Sequence, residues 1–332
     1  MLWTILIFIL ILSLLVFVHE FGHFFIAKKS GMKVEEFGFG FPPRLFGIRR
    51  GETIYSVNWI PLGGFVRIKG ESGEFREEND SFSAKPAWKR FSVLIAGVMM
   101  NFFFAGVLFS IGFMVGMPSV VTDDMPAGAV VESEEIYILS VVEGSPAEEA
   151  GIVGGDVFVS ADSQVFGEAE EARAYISEAG EEGVEVVVLH ADETYETLTL
   201  FSQELSEVGM VGVGIGLVQT GIISYPVHLA VYHGAESMVV MTWEVAKAFV
   251  GIVKNAVIHQ EVGVEISGPV GIAVMTGEVA SMGLVYLIHF AALLSINLGV
   301  INLLPFPALD GGRIVFLIIE KIRRKAVSQQ VE

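Results

Sequence analysis

The sequence contains no cysteine and few charged residues. The absence of cysteine excludes disulfides and thiolate metal sites. Charged residues make up 18% of the chain and hydrophobic residues 52%, whereas about a quarter of the residues in soluble proteins are charged. A chain of 332 residues could form two soluble domains. This composition instead predicts that much of the apolar surface faces lipid.

Three long runs lack charge almost entirely. They cover residues 1–27, 91–117 and 284–304, and each is long enough for the roughly 20 apolar residues that cross a bilayer. A buried helix of a soluble protein is an alternative, but such helices rarely run this long without charges. The first run could also be a secretory signal, but it has no basic n-region and no small-residue cleavage site. We therefore predict spans at 1–27 and 91–117 and a third transmembrane segment at 284–319.

The distribution of charge orients these spans. Twelve of the 20 Lys and Arg residues lie between Lys28 and Arg90, whereas residues 118–283 hold 27 of the 39 acidic residues. Because positive loops stay in the cytoplasm, residues 28–90 and the tail 320–332 are predicted to be cytoplasmic. The net charge of −19 argues against a nucleic-acid partner, which requires a basic face.

Residues 34–70 are predicted to be extended, with a β-hairpin. Tyr55, Val57 and Trp59 alternate with their neighbours as in a strand, and residues 61–64 are predicted to end it. The hairpin could lie in the cytoplasm. Alternatively, it could be a sheet edge at membrane depth, where irregular backbone is tolerated if it lines a protein cavity.

Residues 118–205 are predicted to form a small extracytoplasmic domain. The run from Gly144 to Asp156 resembles the PDZ domains of membrane-associated and periplasmic proteases, and it precedes a helix at 168–179 and strands at 184–189 and 194–201. Residues 206–283 are predicted to be a linker with an amphipathic helix at 226–258. This helix is expected at the outer membrane interface or against the PDZ-like domain.

The chemistry-bearing motif is His19-Glu20-Phe21-Gly22-His23. Residues four apart share a helix face, so both imidazoles can bind one ion, with Glu20 beside it as a base. Such a motif also occurs by chance. Here it interrupts an apolar run, where an ionised residue costs roughly 2.5–3.5 kcal/mol, so a bound cation is the expected compensation.

A catalytic zinc site needs a third protein ligand. Glu35 and Glu36 follow the first run but lie outside it. Asp310 is the better candidate, because Pro305 and Pro307 break the helix before it and two glycines follow it. The alternative is that Asp310 only caps a helix at 314–319, and the residues alone leave both interpretations open.

Together, the His19–His23 motif, the PDZ-like insert and the run Asn302–Gly311 (NLLPFPALDG) resemble the site-2 protease family of the regulator of sigma-E protease type. The resemblance implies a polytopic α-helical membrane protein with a membrane-associated β-hairpin and an inserted PDZ-like α+β domain. It also implies that Zn²⁺ binds to His19, His23 and Asp310, that Glu20 is the catalytic base, and that Asn302 handles substrate. Residues 37–68 would then form a reentrant β-loop that pairs with an unwound substrate.

The expected function is zinc-dependent cleavage of single-span proteins in the lipid bilayer, as in the anti-sigma-factor or remnant-signal-peptide type. An upstream site-1 type protease is an expected partner, and the expected location is the bacterial cytoplasmic (inner) membrane, with the active site near the cytoplasmic face. The chain departs from the family pattern at Val98, where Pro is common, and at Arg313, where His is common. Relatives also usually carry a span after the Asp-Gly motif, so either the sequence is truncated or the enzyme works with three spans. The alternatives are a non-catalytic PDZ scaffold and a metal transporter. The retained Glu20 argues against the scaffold, and the lack of a second polar path through 91–117 argues against the transporter.

Overall fold

The computed structural model describes residues 2–121, 125, 128–179, 182–190, 192–205, 210–258 and 268–323. The chain forms two compact units. The first comprises Met1–Val115 and Val227–Glu332, and the second comprises Gly116–Pro226. Each unit is described separately below.

The helices in chain order are α1 (Leu2–Lys29), α2 (Ala87–Val115), α3 (Pro146–Glu149), α4 (Ala169–Ala179), α5 (Val227–Ile258), α6 (Pro269–Met282), α7 (Leu284–Leu303) and α8 (Asp310–Arg323). The strands are β1 (Val34–Arg50), β2 (Thr53–Ile68), β3 (Met117–Val120), β4 (Val130–Val141), β5 (Val157–Ala161), β6 (Val184–Leu189), β7 (Tyr195–Leu200), β8 (Gln203–Leu205), β9 (Met210–Gly212) and β10 (Ile215–Ser224).

Three helices of the described ranges, α1, α2 and α7, are long and apolar enough to cross a membrane, as the sequence predicts. The third helix is shorter than the predicted segment 284–319. It ends at Leu303, because Pro305 and Pro307 interrupt the backbone, and α8 begins separately at Asp310.

Strands β1 and β2 form the predicted antiparallel hairpin, but each strand also folds over itself. Glu36 pairs with both Arg67 and Ile54, so the two strands make four short paired stretches. The prediction that residues 61–64 end the strand is wrong, because β2 continues to Ile68. Strand β2 bends at residues 61–63, where helix α1 contacts it. The Ser13 hydroxyl donates a hydrogen bond to the Pro61 carbonyl and accepts one from the Gly63 N–H.

Helix α5 covers the predicted amphipathic helix at 226–258, and within the first unit it packs along α2. Gly234 lies against Ser110, and Met238, one turn later, lies beside Gly106, so the two helices run antiparallel. Small residues on both helices allow this close approach. The charged pair formed by Glu244 and Lys247 lies on the exposed face of α5.

The second unit is a six-stranded sheet in the order β3-β10-β4-β5-β6-β7, with α4 packed on it. Its core includes the fully buried Ile138, Val186 and Leu200. The unit extends past the predicted boundary at residue 205. Strand β10 lies inside the sheet between β3 and β4, so the residues up to Pro226 belong to it.

The second unit is predicted to lose stability as pH rises. His190 is its one histidine, and its Nδ1 and Nε2 each lie 3.0 Å from a carboxylate, of Asp156 and Glu196 respectively. The hydrogen bond to Glu196 raises the pKa of His190 above its ordinary value of 6.5, partial desolvation opposes this rise, and Asp156 adds to it. The folded state therefore binds the proton more tightly, which stabilises the fold fully below pH 6.5. This stabilisation is lost as pH rises through the raised pKa.

Urea unfolding of a fragment comprising residues 116–226, followed from pH 5 to pH 9, measures this effect. The control is His190→Gln, which keeps polar atoms but does not titrate. We expect the midpoint of the wild-type fragment to fall towards high pH relative to that of the variant. Parallel pH profiles for the two fragments would contradict the prediction.

Candidate active site

His19 and His23 face the same side of α1, one helical turn apart, and their Nε2 atoms are 3.1 Å apart. The carboxylate of Asp310 lies against both, with Oδ2 3.0 Å from His19 Nε2 and 3.3 Å from His23 Nε2. The three ligand atoms lie within 4.8 Å of one another. The structure thus brings the His19–His23 motif and Asp310 together, although they lie far apart in the sequence.

The turn before α8 directs Asp310 to this position. A Cβ on Gly312 would collide with the Phe306 carbonyl oxygen and reach Pro307 Cα at 3.0 Å, and a Cβ on Gly311 would collide with the Leu303 carbonyl oxygen. These glycines are therefore needed for close backbone contact rather than for a left-handed dihedral. Asp310 is the first residue of α8, which begins four residues before the predicted helix at 314–319, and its carboxylate contacts both imidazoles.

The other carboxylates considered as ligands are engaged elsewhere. Glu36 is buried and paired with Arg44 at 2.5 Å and with Arg67 at 2.8 Å. Glu35 lies 3.3 Å from Arg67. Both belong to the β-hairpin, so neither joins the histidine pair.

Helix α2 forms the wall behind the histidines. A Cβ on Gly97 would lie 2.7 Å from His19 Nε2 and closer still to His23 Nε2, so the absence of a side chain leaves space beside both nitrogen atoms. Gly22 on α1 faces α2, where a Cβ would collide with the Ala96 carbonyl oxygen. The two helices can therefore pack closely at these glycines, beside the ligand nitrogens.

Glu20 and Asn302 line the same cavity, of about 460 Å³, as His19, His23 and Asp310. The Val66 N–H of β2 donates to Glu20 Oε2 at 3.1 Å and fixes the carboxylate beside the histidine pair. All five residues selected from the sequence are therefore neighbours. Arg313 also lines this cavity and forms an ion pair with Glu71.

The donor set fits a catalytic zinc ion. Two imidazoles and one carboxylate are a common three-ligand set, and such a site keeps its fourth position open for water or substrate. The cavity that borders Glu20 provides this open position. His23 is also oriented for binding, because its Nδ1 lies 2.8 Å from the Val93 carbonyl oxygen.

Comparison with known proteins agrees with this geometry. A family model described as peptidase family M50 matches residues 7–332. The chain belongs to peptidase family M50. A Clostridium perfringens protein is 35% identical over 322 residues, which cover 96% of this chain and 88% of that protein. The regulator of sigma-W protease RasP of Bacillus subtilis is 30% identical over an alignment of 416 residues. This alignment covers 99% of this chain and 92% of that protein.

The zinc metalloprotease RasP of Bacillus licheniformis is 28% identical over 413 residues, covering 99% of this chain and 93% of that protein. Among solved structures, the PDZ domain of an SdrC-like protein from Listeria monocytogenes is similar over 26% of this chain and 92% of that chain, at 24% identity with a TM-score of 0.23. This M50 member is accordingly a membrane zinc metalloprotease of the site-2 protease type, and Zn²⁺ is its cofactor.

The sequence did not reveal the residues that surround the ligands. Gly97, Val66 and the Val93 carbonyl act through positions that only the packed structure defines. Asn101 is fully buried beside His19, and it is the one strongly polar residue in the run 91–117. An amide in a membrane span needs a hydrogen-bond partner, so Asn101 is the signal in the sequence for a further site residue.

Proposed function

We propose that this M50 member cleaves transmembrane segments of single-span proteins within the bilayer. The observation that supports this proposal is the depth of the site. His19, Glu20 and His23 lie in the second half of α1, and Asn302 lies in the last turn of α7, two of the helices that are long enough to span. A peptide bond must enter the membrane region to reach these residues. We assign His19, His23 and Asp310 as the zinc ligands.

Zn²⁺, when bound, activates water and the scissile carbonyl as a Lewis acid. Glu20 is the catalytic base: its carboxylate takes a proton from the attacking water and passes it to the leaving amine. Val66 N–H holds one carboxylate oxygen, so the other remains directed into the cavity. Transfer over such short distances requires the fixed orientation that this hydrogen bond provides.

The substrate is proposed to bind as an extended strand. A helical peptide bond is shielded by its own backbone, so the segment must unwind before water can attack. Phe65 and Val66 of β2 line the cavity, and this edge of the hairpin can pair with an extended chain. The side-chain amide of Asn302, on the same cavity, would then hydrogen-bond the bound backbone.

The orientation proposed from the positive loops places residues 28–90 in the cytoplasm and the PDZ-like unit outside. The site then lies near the cytoplasmic face of a bacterial inner membrane. RasP of Bacillus subtilis is named as a regulator of sigma-W protease, which favours anti-sigma factors over remnant signal peptides as the substrate class. An upstream site-1 type protease would supply the shortened substrate.

Mapping the cut position tests this proposal. The purified chain in detergent is incubated with a tagged single-span substrate, and mass spectrometry identifies the new termini. We expect a cut inside the apolar segment of the substrate, and we expect a zinc chelator to abolish it. Restored cleavage on adding Zn²⁺ completes the control.

Cleavage confined to a loop outside the apolar segment would reject intramembrane proteolysis while retaining the metalloprotease. Cleavage that continues unchanged in chelator, with protein shown to be free of zinc, would reject the proposed mechanism altogether.

A further inference from the structure

Asn101 connects the metal-ligand histidines to the helix bundle. It lies on α2 with no exposed surface, and its backbone carbonyl accepts a hydrogen bond of 2.8 Å from the Ser295 hydroxyl of α7. Its side-chain amide points to His19, with Nδ2 3.3 Å from His19 Nδ1. The amide is thus held between two helices and directed at the outer side of a ligand.

The two ligand histidines use their ring nitrogens in the same way. Both Nε2 atoms face Asp310, so both Nδ1 atoms face the protein. The Nδ1 partner of His23 is the Val93 carbonyl, which can only accept a hydrogen bond. The proton of a neutral His23 therefore lies on Nδ1, and its Nε2 lone pair is available to an ion.

The Nδ1 partner of His19 is different, because a side-chain amide can present either a donor or an acceptor. With Nδ2 towards the ring, Asn101 donates to Nδ1, and the proton of a neutral His19 lies on Nε2, beside Asp310 Oδ2 at 3.0 Å. In this orientation Asn101 Oδ1 is buried and has no hydrogen-bond partner among the residues that the structure describes.

Binding of an ion through Nε2 moves the His19 proton to Nδ1, where it would face the amide N–H₂ of Asn101. Two donors cannot form a hydrogen bond. A half-turn of the amide exchanges its nitrogen and oxygen at little change in shape, and it brings the unpartnered Oδ1 to the Nδ1–H. We propose that Asn101 is a positioning residue that stabilises the metal-binding tautomer of His19 through its amide oxygen. This inference rests on the ligand set of the proposed function.

Zinc affinity of the full chain in detergent tests this role. Asn101→Leu keeps the approximate shape but removes the acceptor, so we expect the zinc Kd to rise roughly 10- to 100-fold, as is typical when the outer partner of a ligand histidine is lost. Asn101→Asp retains an acceptor oxygen and should restore the Kd to within about threefold of wild type. The absorption spectrum of the Co²⁺-loaded protein should change in the Leu variant and be retained in the Asp variant.

The matched control is Ser295→Ala, which removes the neighbouring hydrogen bond to the Asn101 backbone but leaves the amide in place. Its zinc Kd should equal that of wild type. Equal weakening by Ser295→Ala and Asn101→Leu, or failure of Asn101→Asp to restore binding, would reduce Asn101 to a packing residue and overturn the inference. If the Leu variant does not fold, Asn101→Ala carries the same expectation.

The two proposals fail in different ways. Wild-type protein that binds no zinc would overturn the ligand set and this inference together. Wild-type binding that is unchanged in Asn101→Leu would overturn only the inference.

Discussion

Replacing Glu20 with Gln is expected to lower the cleavage rate by roughly 100- to 10,000-fold, the usual contribution of a positioned general base. The Gln oxygen can still accept the Val66 N–H that holds Glu20 Oε2 at 3.1 Å, so the side chain keeps its place. An amide cannot take the proton from water. Glu20 is also outside the ligand set, so the zinc content should match that of wild type.

The measurement is kcat/KM on a single-span substrate, with zinc determined in the same preparation. Glu35→Gln is the control, because Glu35 is partly exposed on the β-hairpin and its pair with Arg67 contributes little. It should cleave at the wild-type rate. Loss of zinc in Glu20→Gln would mean that Glu20 is a ligand instead of a base, and full activity would mean that another group takes the proton.

Replacing Gly97 with Ala is expected to prevent tight zinc binding. The new Cβ would lie 2.7 Å from His19 Nε2 and would overlap His23 Nε2. The methyl group would thus occupy the space beside both ligand atoms. Overpacking of this kind costs roughly 1–3 kcal/mol, which raises the zinc Kd about 5- to 150-fold. Cleavage should fall in parallel at limiting zinc.

A glycine elsewhere on α2 provides the matched control. At Gly106 a Cβ would meet Met238 at 3.7 Å, an ordinary van der Waals contact, so Gly106→Ala should leave zinc affinity and cleavage unchanged. Competition with a chromophoric chelator gives both dissociation constants. Wild-type zinc affinity in folded Gly97→Ala protein would show that the ion sits away from this wall, and it would remove Gly97 from the site.

The histidine pair and the helix break before Asp310 could be predicted from the sequence because local rules define them, whereas the choice of Asp310 as third ligand came from the resemblance to site-2 proteases. Two histidines four apart share a helix face in any α-helix, and prolines followed by glycines mark the end of a span wherever they occur. The membrane spans could be predicted for the same reason, because a long run with almost no charge is visible within one segment of the sequence. Each of these features depends on neighbours within one turn or one segment.

The remaining features depend on partners that are distant in the sequence. Strand β2 continues past Pro61 because Ser13 on another element binds its bend. Helix α5 lies on α2 because Gly234 and Gly106 are small where the two helices meet, and the charge pattern of α5 does not identify this partner. The role of Gly97 likewise exists only because α1 places two imidazoles opposite it.

The proposed metal site joins residues 291 positions apart in the chain, with His19 in α1 and Asp310 in α8. During synthesis, α1 therefore enters the membrane long before its third ligand has been translated. The nascent protein holds an incomplete set of ligands until α7 and α8 have been made and packed. The order of translation itself therefore delays completion of the proposed zinc site, so neighbouring membrane proteins meet no complete site before α7 and α8 have packed.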